Sequence, residues 1–433
     1  MAARLANLRN RHERGDVTVA EDLARAASIP LSPAETDHLR AATLTNVAAG
    51  LGDLGSSGPL IQATRARLGG SPAGDAVALA MRLHARTQDD FIPSGRSHVG
   101  AVTLAPALAL ADQVGDRLLD CLAVGYRAMM TVARCYSADA QHRRYRPTGF
   151  FGPFGAAGVA ARALGLDAAQ TANAFGLACV LTAGTNQAWL SGSDEWLLEV
   201  GMASRAGIEA AELTRAGAHA SPAAFEGAAG WATAFFGDPG ASRLTESFGR
   251  PLDFGTSVAT KPYPVSGIAQ PMTHLAVLAH RELAGRTPRR VEVRISQEES
   301  DYPGSLNRGP FSARGQALMS VAYCVACGLS DGLVSLHRLD HPDELSPLVD
   351  IIDVIPDRGL AELDTALTVQ TDEGDVRLSV SGGSLLFAGW DDTDASQVAH
   401  RSEAPADAVE AVRKELSQQR PDSRVIREIL DRS

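Results

Sequence analysis

The stretch from Arg146 to Ala178, RPTGFFGPFGAAGVAARALGLDAAQTANAFGLA, constrains this chain more than any other. It opens on Pro147, Thr148 and glycines at 149, 152 and 155, residues that let backbone pass close to another group and leave amides free. That opening reads as a Gly-rich loop. It feeds an Ala-rich helix from 156 to 164, stopped at Gly165, and a second helix begun near Asp167. Side chains this small only fill space when neighbouring helices approach closely, so the stretch predicts a tightly packed helical core with a loop at its mouth. Loops held by such a scaffold are favoured places for chemistry.

Elsewhere in the first 250 residues the apolar spacing is helical. Ser32-Pro33-Ala34-Glu35 carries a capping-box start, 76–88 continues as a helix, and 101–136 supplies two long ones. Between them, DDFIPSGRSHVG at 89–100 is punctuated as a loop. Leu197 to Ala216 is again Ala-rich and amphipathic. The grammar changes near residue 250, where PLDFGTSVATKPYPVSG reads as a hinge. Beyond it, 289–296, 365–371 and 376–382 alternate as half-buried strands, with helices at 271–284 and 316–329 beside them. The tail from Ala404 is helical and returns toward the first part. The expected fold class is therefore mainly α, a large all-helical domain plus a smaller α+β domain. We place the first at 1–257 with 390–433 returning to it, and the second at 258–389. A length of 433 residues requires more than one ordinary core.

Several function classes are excluded at this level. A formal charge of −11 provides no basic footprint for nucleic acid. No apolar run reaches the roughly 18 residues of a membrane helix, and the charged N-terminus lacks the apolar core of an export signal. The five cysteines, an odd number in apolar surroundings, read as reduced thiols of a cytoplasmic protein, and Cys324 and Cys327 as helix core. GFFGPFG lacks the GK[ST] ending of a phosphate loop, and HExxH and GxSxG are both absent, so nucleotide, zinc-protease and elbow-serine chemistry are not expected and no metal is assigned.

The remaining candidates are few. His98 ends a Gly/Pro-rich loop just before a helix and can serve as a general base near neutral pH; DDF at 89–91 can orient it. Arg146 and Thr148 flank Pro147, a natural carboxylate or phosphate site. Lys261 in KPYP can clamp an anion, and Tyr323 can donate a proton or bind an oxyanion. Each has a bland alternative: a surface arginine in HRRYR, a solvated acid pair, a packed helix tyrosine.

Five segments in order, HVGAVTLAPALALAD, PTGFFGPFGAAGVAARALGLDAAQ, VGMASRAGIEAAEL, KPYP and AYCVACGLSDG, resemble the MmgE/PrpD family, which includes 2-methylcitrate dehydratase, cis-aconitate decarboxylase and iminodisuccinate epimerase. The resemblance implies a helical domain built from both chain ends, a smaller α+β lid, a site between them, a homodimer and no cofactor. It places the family's catalytic-loop histidine on His98, its tyrosine on Tyr323 and its hinge lysine on Lys261. At other positions this chain departs from the pattern. Arg146 stands where a histidine is usual, Trp196 for a lysine, Gln270 for a histidine, and in the DFDDT pattern Thr87 replaces an aspartate and Phe91 the threonine, beside Asp90. His142 and His274, four residues from Arg146 and Gln270, would replace the missing acids only through a shifted backbone, and an offset of four residues rarely conserves aim. Phe91 and Trp196 add apolar area, which disfavours di- and tricarboxylates. The expected activity is thus a cofactor-independent lyase, a dehydratase acting on a carboxylate or carbonyl compound more apolar than methylcitrate. His98 would take the proton, Tyr323 assist the enolate or leaving hydroxyl, and Arg146 pair with the carboxylate, with Thr148, Lys261, Gln270, Trp196, Asp90 and Phe91 lining the substrate. Decarboxylation or epimerisation through the same carbanion, and a degenerate member that only binds a ligand or partner, are the alternatives.

Overall fold

The computed structural model describes residues 17–248, 250, 252–381 and 392–432. The charged N-terminal run to residue 16, two hinge positions (249 and 251) and the expected end of the second domain with the start of the returning tail (382–391) lie outside the described residues.

Local signals set the helix starts. Thr18 and Glu21 form a capping box ahead of α1 (Val19–Ala27), and Ser32 and Glu35 one ahead of α2 (Pro33–Leu51). The next principal helices are α3 (Pro72–His84), α4 (Val99–Ala109), α5 (Leu118–His142), α6 (Pro147–Ala163), α7 (Ala168–Ala178) and α8 (Glu195–Arg215). Asp167 and Gln170 cap α7 in the same reciprocal way.

The Gly-rich opening of the central stretch is not a loop. Pro147 takes the first position of α6, and the helix runs unbroken through Gly149, Gly152, Pro153 and Gly155 to Ala163. Each helical glycine costs about 1 kcal/mol against alanine. Close packing offsets it: a Cβ on Gly152 would come within 2.9 Å of the Ala203 Cβ on α8, and one on Gly158 within 3.2 Å of Val124 on α5. From the other side, a Cβ on Gly207 would meet the Ala156 Cβ and the Ala157 amide nitrogen at 2.3 Å. α6 is therefore wedged between α5 and α8, and its first turn is held where those two helices leave a gap.

The second part is a four-stranded sheet in the order β2-β1-β3-β4, formed by β1 (Arg290–Ser296), β2 (Ile352–Asp357), β3 (Thr365–Gln370) and β4 (Val376–Val380). β2 runs parallel to β1, and the other two pairings are antiparallel. Two helices, α9 (Gln270–Leu283) and α10 (Val321–Asp331), pack on it and on each other. Ser320 ends the preceding short helix and caps α10 through the Tyr323 amide, so the expected helix at 316–329 is two pieces. The chain ends in α11 (Asp392–Arg401), α12 (Ala406–Leu416) and α13 (Ser423–Arg432); α11 and α12 pack on α2, and α13 on α4.

The protein is thus mainly α with a smaller α+β part. One hydrophobic core draws on residues 19–258 and 399–430; a second draws on 263–380 and borrows Val77, Met81, Trp189 and Trp196 from the helical part. Among the described residues no helix is long and apolar enough to cross a membrane. All five cysteines are free thiols, and Cys324 and Cys327 are buried in α10.

Candidate active site

A cleft of about 710 Å³, counted to the solvent at its mouth, opens along the seam between the two cores. Its polar wall comes from His84 at the end of α3, Arg96 and His98 from the loop before α4, and Arg146 and Thr148 from the start of α6. Phe91, Trp189, Ile268, Leu318 and Met319 form its apolar wall. Glu299 and Tyr302, after β1, and Glu362 and Leu363, between β2 and β3, complete it.

His98 is the N-terminal boundary residue of α4, and its backbone amide donates to Thr148 Oγ1 at 3.0 Å. That bond ties the loop to the first turn of α6. Gly100, two residues on, has no room for a side chain, because a Cβ there would lie 2.1 Å from Asn46 Nδ2 and 2.2 Å from Asp90 Oδ1. The imidazole of His98 is 14% exposed, and its Nδ1 lies 3.1 Å from Oδ2 of fully buried Asp89. The other Asp89 oxygen is 2.9 Å from His84 Nδ1. An Arg146 Nη2 lies 3.0 Å from His84 Nε2. Since a guanidinium can only donate, His84 Nε2 must accept, and the His84 proton sits on Nδ1 facing Asp89. The contacts Arg146, His84, Asp89 therefore have one consistent direction, with the His84 Nδ1 proton facing Asp89 Oδ1; Asp89 Oδ2 lies close to His98 Nδ1 without a hydrogen bond of its own.

Electrostatics agree with that assignment. Burial pushes the His98 imidazole well below its ordinary value; Asp89 opposes the shift, and the charge of Lys261 adds to it. Burial likewise lowers His84. For Asp89 burial acts upward, but the two imidazoles outweigh it and hold the carboxyl well below the usual range. Lys261 Nζ lies 3.4 Å from His98 Nδ1 and 3.5 Å from Nε2, and burial lowers its ammonium to about 8.

Arg146 is 3% exposed and heavily engaged. Its Nη1 donates to the Trp196 carbonyl and, at 3.1 Å, to Glu199, while the guanidinium lies 4.9 Å from the centre of the Trp189 ring. His84, Asp89 and His98 also bring three potential metal-ligand atoms within 4.8 Å. The Arg146 and Lys261 cations on either side oppose a further positive ion there, and both Asp89 oxygens already face imidazole nitrogens. The trio reads as a proton network.

Of the residues expected at the site, His98, Arg146, Thr148 and Phe91 line this one cleft. Five do not. The Tyr323 hydroxyl donates to the Arg338 carbonyl inside the second core, because its face of α10 points away from the cleft. Gln270 spends its amide on the backbone of Tyr263 and Val265, shaping the 263–265 turn. Trp196 stands behind His84, ring centres 5.4 Å apart, and Lys261 stands behind His98. Asp90 lies beneath the loop, accepting from Tyr126 at 2.6 Å. His274 bonds the Tyr263 hydroxyl, and His142 lines an outer groove, so neither replaces a lost acid in the cleft. The carboxylate of the DDF run that lies beside the His98 ring is that of Asp89. Sequence reading missed His84, Arg96, Glu299 and Tyr302; only the αL backbone of Arg96 marks one of them as unusual (φ 43°), and that is invisible in the letters.

A mainly helical body joined to a small α+β part thus carries, at their seam, a cleft lined by His84 and His98 with the buried Asp89 carboxylate close to both imidazoles. Residues 39–244 match the family model of the MmgE/PrpD N-terminal domain, which supports membership of the MmgE/PrpD family. That family consists generally of lyases of the dehydratase type. No curated protein matches the chain.

Proposed function

We propose that this protein is a cofactor-independent carbon–oxygen lyase, a dehydratase acting on a small carboxylate with an apolar body. The observation that carries the reading is the aspartate-backed His98 imidazole, neutral and facing the cleft. In this reading His98 Nε2 takes the proton α to the carboxylate, oriented through Nδ1 by Asp89. The electrons of the C–H bond form the double bond, the β-hydroxyl departs, and the proton returns from His98 to that oxygen, so water leaves and the base is regenerated. Protonated Lys261 stabilises the enolate charge from behind the ring. Tyr323 has no part in it. Phe91, Trp189, Leu318 and Met319 favour an alkyl body over further carboxylates. The two domains divide where the two cores divide, and the homodimer remains part of the proposal.

The test is exchange of α-protons in heavy water, followed by NMR over a panel of 3-hydroxycarboxylates and their unsaturated products. Wild-type protein exchanges and dehydrates at least one of them. His98→Gln loses about 10²–10⁴ of that rate, the range for a positioned acid–base group. Full exchange in His98→Gln overturns the mechanism. Tight binding with no exchange in the wild type points to the alternative of a binding protein without turnover.

A further inference from the structure

The cleft contains two guanidinium groups, and they are held differently. Arg146 is enclosed with Glu199, the Trp196 carbonyl and His84, so moving it would strand a partly buried carboxylate and a buried cation. Among the described residues Arg96 has one ion-pair partner, Glu362, whose side chain is 47% exposed, while the buried Glu299 carboxylate of the same cleft feels its charge from further off. The contact between Arg96 and Glu362 is 2.5 Å, and a weak 3.4 Å contact to the Glu298 carbonyl is the other hydrogen bond of this guanidinium among the described residues. The guanidinium also lies 5.2 Å from the centre of the Tyr302 ring, which keeps it aimed at this point when Glu362 is not there. Arg96 itself is 10% exposed and stays in place, whereas the half-exposed Glu362 carboxylate can turn into water and leave its place to another carboxylate.

Position gives the exchange a purpose. Arg96, Tyr302 and Glu362 line both the inner cleft and an outer groove shared with His142, Arg144 and Asp301. Glu362 belongs to the segment between β2 and β3, and its neighbour Leu363 is held by Glu299 through a 3.1 Å amide bond. Arg96 sits two residues before His98. A carboxylate held by Arg96 thus lies at the inner end of the entrance, on the loop that carries the base.

We infer that Arg96 is the residue that recognises the substrate carboxylate, and that Glu362 occupies this position as an internal carboxylate that the substrate displaces. Arg146 then serves as a positioning residue for His84 and Asp89. One exchangeable carboxylate site beside an apolar wall specifies a monocarboxylate. This rests on the proposed reading of the cleft as the site of deprotonation, and the test reads binding so that the two fail separately.

Calorimetric titration with isovalerate, succinate and the uncharged isovaleramide, at low ionic strength, compares wild type with Glu362→Gln and Arg96→Gln. Removing a competing pair of the exposed kind tightens isovalerate binding in Glu362→Gln by about two- to fivefold. Arg96→Gln weakens it at least roughly tenfold, through loss of a charge-assisted contact. Isovaleramide is indifferent to both changes, and succinate binds more weakly than isovalerate throughout. Unchanged or weaker isovalerate binding in Glu362→Gln overturns the inference, as does wild-type affinity in Arg96→Gln or no binding to any form. If Arg96→Gln fails to fold by circular dichroism, Glu362→Gln decides alone. Normal isovalerate binding by His98→Gln, with exchange lost, keeps this result separate from that on the base.

Discussion

Asp90 lies fully buried beneath the loop that carries His98, and replacing it with asparagine should stabilise the protein relative to wild type as pH rises. Its Oδ2 accepts from the Tyr126 hydroxyl at 2.6 Å, and its own amide donates to Asn46 Oδ1 at 2.9 Å. Burial, opposed by the Tyr126 bond and reinforced by the charge of Asp89, raises its carboxyl from 3.8 to about 7. A raised carboxyl means that the folded state binds this proton more tightly than the unfolded chain. The stabilisation is complete below the unfolded value near 4, declines as pH rises, and is gone above about 7. Three pH units at 1.36 kcal/mol each amount to about 4 kcal/mol, of which about 3 falls between pH 5 and pH 8. A side-chain amide at this position cannot titrate and keeps an oxygen for Tyr126, so Asp90→Asn escapes this loss. With unfolding entropy of about 2.1 cal/mol/K per residue, 3 kcal/mol in a chain of 433 residues is roughly 3 °C in Tm. Scanning calorimetry of both proteins at pH 5 and pH 8 should show the Tm of Asp90→Asn gaining that much on wild type. A gap that stays constant with pH, or a less stable variant at pH 8, refutes the reasoning.

Other consequences follow from the same geometry. Gly207→Ala places a methyl 2.3 Å from Ala156 and forces α8 away from α6, so it should cost about 1–3 kcal/mol in chemical denaturation. Tyr323→Phe strands the Arg338 carbonyl and should lower stability by about 1–3 kcal/mol while leaving proton exchange intact. The exchange rate should lack the limb near pH 6.5 of an ordinary histidine, because burial holds His98 well below that value, and should fall above about 8 as Lys261 loses its proton. Lys261→Met should remove that alkaline limb from the pH profile.

Much of the architecture is set by interactions between residues close in the chain. The capping boxes at Ser32 and Asp167, the small-residue helices and the alternation of β1, β3 and β4 are all local, and the letters alone place them. β2 escaped because Pro356 breaks its pattern; at the edge of a sheet a proline is tolerated, and which strand lies at the edge is a property of the sheet. The opening of α6 was misread for a similar reason. Glycine and proline are loop-formers by local preference, and only the pressure of α5 and α8 makes a helix of them.

The site divides along the same line. His98, Arg146 and the family's motifs could be named from sequence because each carries its chemistry in its own letter. Which of them face a common space depends on contacts spanning tens to hundreds of residues. Those contacts turned Tyr323 into the second core, buried Arg146 against Glu199 and His84, and set Arg96 opposite Glu362, whereas Asp89 beside His98 comes from the nearby DDF run that the letters already offered. Composition determines which groups the chain owns; side-chain direction and burial, fixed only when helices and sheet pack, determine which of those groups can meet a substrate.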